Sequence, residues 1–93
     1  MPLTTAPVAP GALSPRRPVP ASIARPEYVD QPAPEKFTGS EVKDAETVEA
    51  MRVAGRIAAN AMAAAAAVIA PGVTTDEIDR VGHEFLLDHG AYP

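Results

Sequence analysis

Proline sets the outer limit on what this chain can fold into. Nine of its eleven prolines, Pro2, Pro7, Pro10, Pro15, Pro18, Pro20, Pro26, Pro32 and Pro34, fall before residue 35. Each fixes φ near about −65° and removes an amide donor, so neither a helix nor an interior strand can run through this stretch. Met1 to about Phe37 is expected to alternate between polyproline II and irregular coil, and residues 1–40 read as a disordered extension. Regular patterning begins only near Asp44, which leaves about half of the 93 residues to build a core. That is close to the size at which a chain needs staples. The sequence has no cysteine, so neither a disulfide nor a thiolate-held metal can supply one.

Two helices are expected in the remainder. The first starts at Asp44, whose carboxylate can accept the orphan amides of the opening turn, with Glu46 and Glu49 where the helix dipole favours negative charge. Apolar or small residues follow at Val48, Met51, Gly55, Ala58, Met62, Ala65 and Ile69, in steps of three and four. That spacing is one face of a helix. Gly55 within this face implies close approach of another backbone, because glycine otherwise costs about 1 kcal/mol there. Pro71-Gly72 ends the helix. Thr74 and Glu77 have the spacing of a capping box and open the second helix. Ile78, Val81, Gly82, Phe85 and Leu86 form its apolar face, Asp79, Arg80, Glu84 and Asp88 its wet side, and Gly90 lies just past its end. A helical hairpin with two apolar stripes and little to bury them against needs a partner surface.

The net charge of −4 conceals an asymmetry. Residues 1–26 carry Arg16, Arg17 and Arg25 without any acid, and the acidic excess lies wholly in the rest. Three arginines make a weak footprint for a polyanion, and a solubilising tail is the plainer reading. Two PxxP spacings, Pro7-Val8-Ala9-Pro10 and Pro15-Arg16-Arg17-Pro18, could dock on an aromatic groove. In a tail this rich in proline they also arise by chance, and a tether or spacer is favoured. The longest uncharged apolar run, Ile57 to Ala70, is shorter than the ~20 residues that span a bilayer. Proline also interrupts any signal-peptide core. The expectation is a cytoplasmic protein with no membrane or DNA partner. An acid-free, arginine-bearing start keeps an organellar transit peptide as a lesser alternative.

The segments Met51-Arg52-Val53-Ala54-Gly55-Arg56-Ile57-Ala58-Ala59 and Pro71-Gly72-Val73-Thr74-Thr75-Asp76-Glu77-Ile78-Asp79-Arg80 carry a resemblance. Together with the closing His89-Gly90-Ala91-Tyr92-Pro93, they resemble the opening of the catalytic domain of type I methionine aminopeptidases, over roughly Glu41 to Pro93. The proline-rich tail is similar to an extension on the actinobacterial form. The resemblance implies an α/β pita-bread fold, of which this chain would cover the extension (1–40) and the first two helices (41–93). It also implies removal of initiator methionine from nascent polypeptides, with two divalent metal ions (Co, Mn, Fe or Zn) activating a water. The ribosome is a candidate partner of the tail. In that family the two aspartates, the histidine and the two glutamates that hold the metals lie downstream of the position matching Pro93, as does the substrate-contacting histidine. No catalytic, metal-binding or substrate-binding residue is therefore assigned here, and the 93 residues alone are expected to be inactive. Pro2, a compact second residue, would suit self-processing of Met1 by the complete enzyme.

The residues that could substitute fail on geometry. His83 and His89 are six apart and project about 120° from a shared face, and His83-Glu84 is only half of a zinc-helix motif. His89 suits the helix-end carbonyls better. Asp76, Glu77 and Asp79 are ordinary for a first helical turn. Arg52 and Arg56 could hold a phosphate, but pairing with Glu49 and its neighbours is the plainer expectation. The alternative from another class is a small interaction protein, with a docking tail and a helix pair that folds on a partner. A further pita-bread enzyme, such as a proline-specific aminopeptidase, fits the first helix and the Pro-Gly turn less well.

Overall fold

A computed structural model describes residues 7–93; the reading of Pro2 lies outside them. Two helices form, α1 over Ala45–Ala67 and α2 over Thr75–Asp88, packed against each other as a hairpin. No strand occurs among the described residues.

Asp44 caps α1 as its residue type suggests, its carboxylate accepting from the Thr47 amide at 2.8 Å. That hydrogen bond holds the Asp44 carboxyl below the ordinary carboxylate range. The helix closes earlier than the Pro71-Gly72 signal, with Val68 as its cap donating to the Ala65 carbonyl and the Ile69 amide donating to the Ala66 carbonyl. Gly72, at φ +90°, then turns the chain toward α2. The start of α2 is a capping box closed on one side. Thr74 Oγ1 accepts from the Glu77 amide at 3.2 Å, but the Glu77 carboxylate turns to Arg80 instead of returning to the Thr74 amide. An ion-assisted bond to a guanidinium is stronger than one to a neutral amide, so Arg80 wins the carboxylate.

The end of α2 follows its sequence signal closely. His89 caps the helix, Gly90 follows at φ +71°, and two bonds wind back: Gly90 amide to Leu87 carbonyl at 3.0 Å and Ala91 amide to Leu86 carbonyl at 2.9 Å. This is the double bond pattern of a Schellman motif, which needs a residue free to take positive φ. A Cβ at Gly90 would meet no atom within 4 Å, so the cost of adding one is purely conformational. Gly90→Ala is expected to destabilise the full-length protein by about 1–2 kcal/mol, read from its denaturant midpoint, and Gly90→Asn to recover part of the loss.

The packing of α1 corrects the expected face. Ile57, Ala61, Ala64, Ala65 and Val68 are the α1 residues drawn from full exposure, in steps of four, three, one and three. They form a stripe beside the expected one, and alanine side chains on it let two helix axes come close. Of the expected stripe only Ala65 is drawn in; Val48, Met51, Met62 and Ile69 stay open to solvent, Met62 by 74%. Gly55 faces open space with no atom within 4 Å of a built Cβ, so the close approach expected there does not occur between the two helices. On α2, Ile78, Val81, Gly82, Phe85 and Leu86 are all partly covered as read. Burial among the described residues is thin, limited to Ile23 and Ala61 among the apolar ones.

Candidate functional site

The tail contributes the most connected part of the described structure. Residues 7–40 hold no helix or strand, and within them Ser14, Arg17, Pro18 and Arg25 contact α2 or Tyr92. Prolines at 18 and 20 leave carbonyls with no ladder to accept from, and the Arg25 guanidinium supplies the missing donors. Its nitrogens reach the carbonyls of Val19 at 2.8 Å, Ile23 at 3.0 Å and Pro20 at 3.1 Å. Its charge also lies 5.4 Å from the ring centre of Tyr92, joining the tail to the C-terminal end of the described chain. Ile23, 8% exposed, is buried within this fold-back.

From that platform Arg17 and Ser14 reach the first turns of α2. Arg17 bonds Asp76 at 3.2 Å through its carboxylate and at 2.9 Å through its carbonyl, and bonds Asp79 at 3.2 Å. The Ser14 hydroxyl donates to Asp76 at 2.6 Å and the Ser14 amide donates to the same carboxylate at 3.2 Å. One turn on, the His83 ring nitrogen meets the Pro18 carbonyl at 3.2 Å. Asp76 and Asp79 are thus not merely a negative first turn; they hold a basic segment about sixty residues away. The sequence reading missed this use of Ser14 and Arg17. The available signal was complementarity between the acid-free residues 1–26 and the acidic opening of α2.

The Ser14 hydroxyl and then the Ser14 amide hold the Asp76 carboxyl below its ordinary 3.8, opposed by partial desolvation, with Arg17 adding a lesser lowering. A depressed pKa stabilises docking above the unfolded value, and the contribution is lost as pH falls through the folded one. The Asp76 contribution to tail docking is therefore expected to be in place above about pH 5 and to weaken progressively as pH falls below 3.8 toward the lowered folded value. The pH dependence of the Ser14 amide resonance measures it. Glu77 is likewise held low, first by its bond to Arg80. Arg80 spans Glu77 and Glu84 on the wet side, where such partly exposed pairs add little to stability.

The other candidates fall into place singly. His89 accepts the helix-end role, its Nδ1 lying 2.8 Å from the Phe85 carbonyl and its ring stacked on Phe85 at 4.2 Å. Arg52 and Arg56 make no ion pair among the described residues, so the expected pairing with Glu49 is absent and all three side chains stay in solvent. A cleft of about 710 Å³ lies between the tail and α2, with Arg17, Arg25, Asp76, Asp79 and Tyr92 on its walls. Its Arg17, Asp76 and Asp79 are already bonded to one another. Among the described residues no three histidine, aspartate or glutamate side chains converge as metal ligands.

Comparison with known proteins places these elements in a family. Residues 49–93 match the model of metallopeptidase family M24. The whole chain is 59% identical over 93 residues to "Methionine aminopeptidase 2" of Mycobacterium tuberculosis, of which it covers 32%. It is 48% identical over 85 residues to "Methionine aminopeptidase 1D, chloroplastic/mitochondrial" of Arabidopsis thaliana, covering 90% of this chain and 24% of that protein. A mouse relative, "Methionine aminopeptidase 1D, mitochondrial", is 37% identical over 87 residues, covering 92% of this chain and 26% of that protein. The chain thus spans about a third or less of the length of the curated relatives it matches. The resemblance read from Met51–Ala59 and Pro71–Arg80 is borne out, and the mycobacterial match extends it through the proline-rich tail.

Proposed function

We propose, from the membership of residues 49–93 in metallopeptidase family M24, that this chain is the N-terminal part of a methionine aminopeptidase. The complete enzyme removes initiator methionine from nascent polypeptides in the cytoplasm. The observation that carries this reading is the 59% identity to a methionine aminopeptidase across every residue of the chain, tail and helix pair alike. In the complete protein the two helices belong to an α/β pita-bread fold. The exposed Val48, Met51, Met62 and Ile69 face of α1 is where they meet the rest of it. Residues 1–40 form the extension and 41–93 the opening of the catalytic domain, with the ribosome as candidate partner of the extension.

The residues present here do not fit a metal. The acidic pair nearest to forming a site, Asp76 and Asp79, is neutralised by Arg17, and His83 is engaged by a carbonyl. The two divalent ions, Co, Mn, Fe or Zn, are assigned to residues beyond this segment, and this chain's part is structural.

The test is release of methionine from a methionyl peptide by the full-length protein. Chelation is expected to abolish release and a divalent metal to restore it, while the 93-residue polypeptide gives none under either condition. A metal-loaded full-length protein that leaves the peptide intact would refute the reading.

A further inference from the structure

In the tail's second PxxP motif, Pro15-Arg16-Arg17-Pro18, the two prolines and Arg16 are exposed, but Arg17 is not free. Arg17 is turned onto Asp76 and Asp79, Ser14 just before the motif is bonded twice to Asp76, and the Pro18 carbonyl is taken by His83. These contacts fall on Asp76, Asp79 and His83, spaced three and four residues apart, so they share one face of α2. The Arg17 side chain is only 17% exposed. The Pro7-Val8-Ala9-Pro10 motif is exposed over all four residues and differs from the second motif only in having no residue covered as Arg17 is.

We propose that the Asp76, Asp79 and His83 face of α2 is a receptor for a basic, proline-containing segment, and that its resident occupant is this chain's own Ser14–Pro18. In this closed form Arg17 is withheld from outside partners until its pairs are broken, while Pro15 and Pro18 stay exposed. Several modest, partly exposed contacts make this closure. Each is weak alone, but one tethered segment makes them all at once, so the local concentration is high. An incoming partner that binds the acidic face or captures Arg17 would free the motif. The inference does not depend on the catalytic reading.

Trypsin provides a direct test on the full-length protein. Within residues 7–35 it can cut only Arg16–Arg17, because Pro18 and Pro26 follow the other two arginines. Cleavage there should be slower in the protein than in a synthetic peptide of residues 8–24, by about tenfold or more if the closed form dominates. Arg17→Gln on the tail side, and Asp76→Asn with Asp79→Asn on the helix side, should each bring the rate toward that of the peptide. Glu77→Gln, which alters charge in the same turn without touching the tail, should leave it slow. Cutting at Lys36–Phe37 serves as the internal reference and should not change. A wild-type rate equal to that of the peptide would overturn the proposal. An Arg17→Gln protein cut as slowly as wild type would overturn it too, and that variant leaves α2 intact.

Discussion

Heated alone, the 93-residue polypeptide is expected to lose helicity gradually, with no cooperative transition. Cooperative melting needs a core whose burial is lost all at once, and among the described residues only Ile23 and Ala61 are buried apolar side chains. Its radius of gyration, 17.7 Å, well exceeds the roughly 12 Å of a compact domain of this length. The helices have good local reasons to form: the Asp44 cap, the Thr74 cap, and a run of alanines with the highest helix propensity. Local reasons give a broad transition, because each turn frays on its own. Circular dichroism at 222 nm against temperature measures it. A sharp melt, independent of concentration, would contradict the absence of a core.

Placing a charge on the outer face of α1 is expected to separate the short polypeptide from the full-length protein. Met62 is 74% exposed in this structure, so Met62→Asp should change the helicity of the 93-residue chain only slightly. In the full-length protein the same face is proposed to lie against the remainder of the fold. There the substitution would leave a charge buried without a partner, at about 3–5 kcal/mol. Met62→Leu, which keeps volume and apolarity, should be tolerated in both. Denaturant midpoints of the full-length variants, beside circular dichroism of the short ones, decide the matter. A full-length Met62→Asp protein as stable as wild type would show that this face is open in the full-length protein as well.

The legible parts of this molecule were those whose causes lie within a few residues. Asp44, Thr74 and Gly90 were read as caps because each satisfies groups three or four positions away. His89 at a helix-end carbonyl has the same local origin. The face of α1 was misjudged because periodicity finds every apolar stripe and cannot say which neighbour covers which. Large residues drew attention to Val48, Met51 and Met62, whereas α2 packs beside the small ones around Ala61. The site on α2 was missed for a related reason. Asp76 and Asp79 look complete as a favourable first turn, and nothing adjacent in sequence points to Arg17.

By itself the sequence determined where both helices begin and where the second ends, the lack of regular structure before them, and the family resemblance carried by Met51–Ala59 and Pro71–Arg80. These follow from backbone geometry, capping and side-chain identity, all of which are local. Only the tertiary structure decided which α1 stripe packs and that the tail lies docked on α2 through Ser14 and Arg17. The pairing of charges about sixty residues apart depends on the turn at Gly72 and the Arg25 fold-back bringing them together. No short window of the chain contains both of those causes.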